Sequence, residues 1–173
     1  RIAADSSHAA KTRHVANALT PTTPDLLVHL SLLLPGLNKK VFNVQEKQLI
    51  KLFARLLDED SEKLTRALEE GKHAGDLSSV VGAAFRDRAK AKMSTLTITH
   101  VADFLDQLAG LSKEDEQLSA FRRILPLCTA DDIKWLIRLI LKDLKLNAGT
   151  KIILSGLDPR AYEAFQLKAD LPA

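Results

Sequence analysis

The chain is organised around the stretch LKDLKLNAGTKIILSGLDPRAYEAF, residues 141–165. It begins in a basic helical pattern, passes through a turn of small residues and ends in two short helical patterns. The turn at residues 147–150 presents backbone N–H groups at the next helix start, and Lys151 adds positive charge there. Small side chains let an anion approach these donors closely. The stretch predicts a helical fold with a candidate anion site, although an ordinary helix connection is the simpler interpretation of the turn alone.

The pattern before the turn predicts a helix over residues 130–145 with two contrasting sides. At about 100° per residue, one wide buried arc is formed by its apolar residues, which are Ile133, Leu136, Ile137, Ile140, Leu141 and Leu144. The opposite side is a narrow stripe of cations, which are Lys134, Arg138, Lys142 and Lys145. Four cations in line suit a row of phosphates. An ordinary solvated face is the competing interpretation, and it is favoured on this pattern alone.

Composition predicts an all-α fold, a single compact multi-helix domain spanning residues 1–173. The 173 residues are 46% hydrophobic and 27% charged, with only seven Gly and six Pro, which favours a globular helical chain. The one cysteine, Cys128, indicates a reducing compartment and excludes a Cys-rich zinc module. A net charge of +3 permits a nucleic-acid partner. No apolar run approaches the roughly 20 residues that span a bilayer, and the chain starts at Arg1 without a signal peptide, so we expect a soluble fragment with no membrane partner.

Local signals mark where the helices start. Thr23 is expected to cap a helix whose first position is Pro24, with Asp25 complementing the helix dipole. Residues 26–34 are apolar almost all round, which predicts a core helix ended by Pro35. Further cap signals are Asn43 with Glu46, Thr97, Ser112 with Asp115, and Thr129 with Asp132. Other expected helices cover residues 7–19, 61–70 and 77–85.

The sequence contains no recognisable catalytic or metal-binding motif. It lacks a Gly-x-Ser-x-Gly elbow, a phosphate-binding loop of the Walker type and a dinucleotide fingerprint. Acidic residues from Asp58 onward have calcium-loop spacing, but Lys63 stands where that loop requires Gly. The histidines lack zinc-site spacing. The apolar neighbours of Cys128 predict a buried structural thiol, so we expect neither a catalytic residue nor a metal site.

Several motifs together resemble one family. The segments TPDLL at 23–27 and LLPG at 33–36, with the helical pattern at 97–108, are similar to the helical DNA-binding domain of eukaryotic-type ATP-dependent DNA ligases. The segments LSKEDEQ at 111–117, CTADDIKWLIRLI at 128–140, DLKLNAGTK at 143–151 and LDPRAYEAF at 157–165 are most similar to the DNA ligase III branch. The resemblance covers nearly the whole chain and is looser over residues 58–95.

The resemblance implies a domain that binds nicked or gapped duplex DNA from the minor-groove side, through the backbone and without reading sequence. It implies that catalysis, with ATP and Mg²⁺, belongs to separate nucleotidyltransferase and OB-fold domains of a ligase that acts in DNA repair, recombination and replication. The family's adenylated lysine lies in a Lys-x-Asp-Gly motif, and no Asp of this chain precedes Gly. We therefore expect a fragment without enzymatic activity or cofactor, from a nuclear parent, with a mitochondrial or viral setting as alternatives.

The resemblance, together with the cation stripe, gives a set of candidate DNA-binding residues. They are Thr22, Thr23, Ser112, Lys113, Lys134, Arg138, Lys142, Asn147, Gly149, Thr150 and Lys151. In some family members a basic residue and Leu precede the Gly of the turn, and Asn147 and Ala148 replace them here, so fewer charges reach DNA. Helix capping is the alternative role for Thr22, Thr23 and Ser112, and an internal ion pair is the alternative for Arg138. The alternative function is a helical protein-interaction scaffold whose basic face binds an acidic partner.

Overall fold

A computed structural model describes residues 1–169 of the chain, and over this range the structure is helical without β-strands. The α-helices, in chain order, are α1 His8–Ala18, α2 Leu26–Leu33, α3 Glu46–Leu57, α4 Ser61–Glu70, α5 Leu77–Phe85, α6 Ile98–Ala109, α7 Glu114–Ile124, α8 Ala130–Ile140, α9 Thr150–Leu157 and α10 Ala161–Ala169. Short 3-10 turns cover Ile2–Ala4, Pro35–Leu37, Arg86–Arg88 and Leu125–Leu127. The predicted all-α class is confirmed. None of the helices in residues 1–169 is long and apolar enough to cross a membrane.

The chain divides into two compact units. The terminal unit combines Arg1–Asn38 with the described residues from Leu144 onward, and the central unit is Lys39–Asp143. The terminal unit therefore contains α1, α2, α9 and α10, and the central unit contains α3 to α8. The prediction that residues 1–173 form a single domain stays a prediction.

The terminal unit is built on the packing of α1 against α9. Val15 and Ile153 are fully buried, and burial of such side chains stabilises a fold by about 1.5–3 kcal/mol each. The two helices approach most closely at Gly156, where an added Cβ would lie 2.6 Å from Cβ of Val15 and 2.7 Å from the carbonyl oxygen of Thr12. Only glycine fits this crossing. The close approach fixes α9, and with it the turn that precedes α9.

The central unit has an aromatic core. The ring of Phe121 on α7 meets Phe53 of α3 and Phe104 of α6 edge to face, with centroids 5.2 and 5.1 Å apart. Such pairs add about 0.5–1.5 kcal/mol beyond the area they bury. On the other side of the unit α5 packs on α8, where a Cβ on Gly82 would lie 3.0 Å from the carbonyl oxygen of Ala130. The core therefore holds α8 tightly against α5.

Of the four helix caps predicted after α2, two are confirmed and two are wrong. Thr97 starts α6 in a capping box with His100, and Thr129 starts α8 in a capping box with Asp132. Ser112 does not cap α7, whose N-cap is Lys113 without a side-chain bond. Asn43 does not cap α3 either, because α3 starts at Glu46 with Gln45 as its N-cap, and the side-chain amide of Asn43 donates to the carbonyl of Leu111, 3.5 Å away. Tertiary partners or chain geometry take precedence over the local signal at both wrong positions.

The start of α2 also differs from the prediction. Helix α2 begins at Leu26, and its N-cap Asp25 has a left-handed backbone with φ of 53° and no side-chain cap bond. Thr23 does not cap the helix, because its hydroxyl accepts a hydrogen bond from the backbone N–H of Thr20, 2.8 Å away. Pro24 therefore precedes the N-cap. The hydroxyl of Thr23 closes a separate local turn, which competes with capping.

Helix α2 is not a core helix, contrary to expectation. None of its residues is fully buried, and Leu27 is 81% exposed. Each residue of a helix is rotated about 100° from the last, so a helix that is apolar all round must direct some side chains away from any one packing surface. The apolar sequence of α2 predicted burial, but the described residues of the structure do not surround the helix on all sides.

Helix α8 ends at Ile140, five residues earlier than predicted. Lys142, Lys145 and Asn147 then adopt left-handed backbone conformations, with φ of 56°, 50° and 49°. Lysine is uncommon in this region, which normally belongs to Gly or Asn, so sequence rules do not place a helix end here. The prediction of a continuous cation stripe on a helix over residues 130–145 is therefore wrong, since Lys142 and Lys145 are not helical. Leu141 and Leu144 are half-buried rather than buried.

Candidate nucleic-acid interface

The turn at residues 147–151 and the start of α9 form the clearest anion-binding geometry in the terminal unit. Gly149 is the N-cap and supplies no side chain, and its carbonyl accepts from the N–H groups of Ile152 and Ile153 at 3.0 and 3.2 Å. The N–H groups of Thr150 and Lys151 therefore lie ahead of the first helical hydrogen bonds. A helix start of this kind carries partial positive charge. A Cβ added to Gly149 would have no atom of the described residues within 4 Å apart from its chain neighbours, so the surface beside this N-cap is uncrowded.

Lys151 is held beside this turn by an aromatic ring. Its ammonium nitrogen lies 5.8 Å from the centroid of the Tyr162 ring on α10, a cation–π distance. The residue itself is exposed. Its charge is therefore available at the surface, next to the open N–H groups of α9.

A buried lysine positions the same turn, and the sequence analysis missed it. Lys11 on α1 is only 3% exposed, and its ammonium group donates to the carbonyl oxygens of Leu146 at 3.0 Å and Asn147 at 2.8 Å. A buried charge needs such partners to offset lost hydration. Lys11 lies four residues before the core residue Val15, so helical spacing places it on the buried side of α1. That spacing was the available signal.

The Thr20–Thr23 turn also belongs to the terminal unit. The hydroxyl of Thr22 is 3.1 Å from that of Thr20, and Thr23 is bonded to Thr20 as described above. Thr22 is exposed and Thr23 is half-buried. Both hydroxyls organise this turn, and their direct contact with DNA stays a prediction.

Arg138 is an internal ion-pair partner in the central unit. It is 8% exposed, and its guanidinium donates to Asp76 Oδ2 and Ser78 Oγ, both at 3.0 Å. Asp76 is also the N-cap of α5 and accepts from the backbone and hydroxyl of Ser79. The guanidinium carbon lies 4.9 Å from the Trp135 ring. Arg138 therefore ties α8 to the start of α5, as the alternative interpretation proposed, instead of standing in an exposed stripe.

The remaining candidates of the central unit lie in different settings. Lys134 is half-buried against α5, with its Cβ 3.4 Å from the Cβ that Gly82 would carry. Lys142 is in the turn after α8. Ser112 and Lys113 precede the first turn of α7, which contains Glu114, Asp115 and Glu116. A phosphate would meet these carboxylates as well as Lys113, which is itself 3.8 Å from Glu116. The DNA contacts of all four residues stay predictions.

Cys128 is buried, as expected. Its thiol donates to the carbonyl of Ile124 at 3.2 Å, and burial, with a smaller contribution from the nearby Asp132 carboxylate, raises the thiol pKa to about 12. A thiol with so high a pKa stays protonated near neutral pH and is a poor nucleophile. Within residues 1–169 no three His, Cys, Asp or Glu side chains are grouped to hold a metal ion.

Sequence comparison relates this chain to the N-terminal part of DNA ligases. The family model described as DNA ligase N terminus matches residues 1–158. The DNA ligase of Fowlpox virus (strain NVSL) is 34% identical over 173 residues, which cover 96% of this chain and 30% of that protein. The DNA ligase of Vaccinia virus (strain Western Reserve) is 30% identical, again over 96% of this chain and 30% of that protein.

A cellular relative shows the same similarity. DNA ligase 3 of Dictyostelium discoideum is 29% identical over 94% of this chain and 14% of that protein. The chain thus spans less than a third of the length of these relatives. The resemblance found in the sequence motifs is confirmed, because the matched residues include both the TPDLL segment and the turn before α9. The chain belongs to the DNA ligase N-terminal domain family.

Proposed function

We propose that this chain is the DNA-holding module of an ATP-dependent DNA ligase. It binds nicked or gapped duplex DNA through the backbone and the minor groove, without reading sequence. The observation that carries the proposal is the turn before α9, which combines open N–H groups at Thr150 and Lys151 with an exposed cation, inside a chain of the DNA ligase N-terminal family. Helix starts and lysines are the groups that contact phosphates in protein–DNA complexes.

The geometry of the turn supports contact with the backbone more than with base edges. The surface beside Gly149 is uncrowded, and the side chains of Ala148 and Thr150 are short while that of Lys151 is cationic. Asn147 has the planar amide of this turn, and the other residues of the turn have no planar amide or guanidinium group for bidentate contacts with bases. Contacts of this kind position a protein on DNA and carry no sequence information. Binding independent of sequence follows from them.

The parent protein would supply the chemistry. We propose that it is an ATP-dependent ligase that uses Mg²⁺ and seals DNA breaks in repair, recombination and replication, in the nucleus of a cell or in a viral setting. The ligases that resemble this chain are more than three times its length, and no Lys-x-Asp-Gly sequence occurs in residues 1–173. In this proposal the chain holds the broken duplex and takes no covalent part in sealing it.

The proposal is tested by fluorescence anisotropy with three DNA duplexes of one sequence, which are nicked, gapped by one nucleotide and intact. A second sequence of the same length controls for base readout. We expect the logarithm of affinity to fall linearly with the logarithm of salt concentration, since neutralised phosphates release counterions, and we expect both sequences to bind equally. Absence of binding at low salt would overturn the proposal. Tighter binding to the nicked and gapped duplexes than to the intact one would support the proposal that the chain recognises breaks. Equal binding to all three duplexes would reject a preference for breaks.

A further inference from the structure

A cavity in the central unit lies where α3, the end of α5 and the end of α7 meet. Its volume is about 160 Å³. The cations that line it are Arg55, Arg88, Lys90 and Arg122, and among residues 1–169 no carboxylate lines it. These cations come from three separate parts of the sequence, so no contiguous motif marks the cavity. None of them belongs to the candidate DNA-binding set.

Two of the four cations already have partners. Arg55 donates to Glu114 at 2.7 Å and to Asp115 at 3.1 Å. Its hydrogen bond to Glu114, with a second from Gln48, holds the pKa of Glu114 below its usual value. Arg88 donates to Glu59 at 2.7 Å. Within residues 1–169, Lys90 and Arg122 make neither a hydrogen bond nor an ion pair. Both are exposed. The unmatched positive charge of the cavity is therefore concentrated at these two residues.

The rest of the cavity lining is apolar. It consists of Leu56, Phe85, Leu125 and Pro126. Phe85 is buried, whereas Leu56 and Leu125 are half-buried. The cavity is open to the surface, and its volume leaves room for one aromatic or branched aliphatic side chain. It thus combines an apolar wall with two cations that have no partner among the described residues.

We propose that this cavity binds an acidic peptide segment of a partner protein, with one apolar side chain in the pocket and flanking carboxylates on Lys90 and Arg122. A DNA backbone would satisfy the cations, but its sugar rings are flanked by phosphates on both sides and do not project as a side chain into the pocket. A peptide with Phe or Leu between acidic residues satisfies both. Apolar anchors in a pocket surrounded by complementary charge are typical of peptide-binding surfaces. This inference is independent of the proposed DNA binding.

The test measures binding of a fluorescein-labelled peptide, EEDFEED, by anisotropy at low salt. The control peptides are EEDSEED, which lacks the apolar anchor, and QQNFQQN, which lacks the charges. We expect EEDFEED to bind at least about tenfold more tightly than either control, because each control removes one of the two matched features. Equal binding of EEDFEED and EEDSEED would overturn the proposal, as would absence of binding.

Variants locate the site. Replacing two lining cations, Lys90→Glu with Arg122→Glu, is expected to weaken EEDFEED binding by about tenfold or more. The matched control, Arg86→Glu with Lys92→Glu, makes the same change in charge at exposed residues nearby that do not line the cavity. It should weaken binding by less than about threefold. An equal loss of peptide affinity in both double variants would indicate general charge attraction and would contradict binding at this cavity.

Nicked duplex DNA completes the experiment. One outcome is that the wild-type chain fails to bind EEDFEED while the double variant at Lys90 and Arg122 loses affinity for nicked DNA. In that case the cavity belongs to the DNA-binding surface and the proposal is wrong. If peptide and nicked duplex bind at the same time, the peptide site is separate. Failure of the chain to bind DNA, with peptide binding intact, would reject the proposed function and leave the peptide site standing.

Discussion

The ammonium group of Lys11 lies 2.8 Å from the carbonyl oxygen of Asn147, across 136 positions of sequence. A second bond of 3.0 Å joins it to the carbonyl of Leu146. The first helix of the chain thus holds the turn that precedes α9. A buried cation from one end of the chain fixes the position of the backbone that we propose to contact DNA.

Replacing Lys11 by Met should loosen this turn. The change keeps the length of the side chain and removes both donors, which leaves two carbonyls without their partner at a cost of about 1–3 kcal/mol in the free energy of unfolding. Affinity for nicked duplex should fall as well, because the N–H groups of α9 lose their fixed position. Urea denaturation and anisotropy measure the two effects. Arg13→Met, at an exposed position of the same helix, is the control, and a similar loss there would contradict the positioning role.

Replacing Lys151 by Gln should affect DNA binding and leave the fold intact. The side chain is exposed, and its contact with the Tyr162 ring contributes only about 0.5–1 kcal/mol at such a site. Loss of one phosphate contact should lower the slope of log affinity against log salt by about one. Lys168→Gln, on the exposed side of α10, removes the same charge elsewhere in the unit. A slope unchanged in the Lys151 variant would remove Lys151 from the interface.

Replacing Arg138 by Met should destabilise the chain strongly. The change removes the guanidinium that donates to Asp76, and loss of a hydrogen bond to a charged group costs about 1.5–3 kcal/mol. Thermal or urea unfolding measures the loss. In the double variant with Asp76→Asn, part of this loss should be recovered, since the largely buried carboxylate charge that faced the guanidinium is removed as well. If Arg138→Met unfolds like the wild type and only DNA affinity falls, the residue acts as a surface cation instead.

Replacing Gly156 by Ala should destabilise the packing of α1 on α9. The new Cβ would lie 2.6 Å from Cβ of Val15 and 2.7 Å from the backbone carbonyl of Thr12, so one helix must move. Overpacking of this kind costs about 1–3 kcal/mol. Gly36→Ala is the matched control, because nothing lies within 4 Å of its new Cβ. Equal unfolding midpoints for the two variants would show that the crossing tolerates a methyl group.

Local signals predicted most of the helices correctly. Thr97 starts α6 as expected, and the predicted pairing of Thr129 with Asp132, three positions apart, forms at the start of α8. The bounds of α4 and α5 also agree with the sequence pattern. The family resemblance likewise rested on contiguous segments. Features set by neighbours along the chain were therefore accessible before the structure.

Features set by residues far away in the sequence could not be predicted from the sequence. The burial of Arg138 depends on Asp76 and Ser78, which are about 60 positions away, and a helical projection of α8 alone puts Arg138 among solvated cations. The cap at Ser112 failed because the chain enters α7 one residue later, at Lys113. The early end of α8 depends on lysines in left-handed conformations, for which no residue-type rule exists. The role of Lys11 could not be predicted because it depends on the backbone carbonyls of Leu146 and Asn147, which only the fold brings next to it.

The terminal unit is assembled from both ends of the chain, and this has a consequence for how the protein is made. Residues from Leu144 onward are synthesised after α1 and the whole central unit. The packing of Val15 against Gly156 and the hydrogen bond from Lys11 to Leu146 therefore form only after α9 has been synthesised. The central unit, which is continuous in sequence, can fold during that interval. Cleavage or deletion that removes α1 would therefore leave the central unit with its own core, while the turn before α9 would lose the side chain that shapes it.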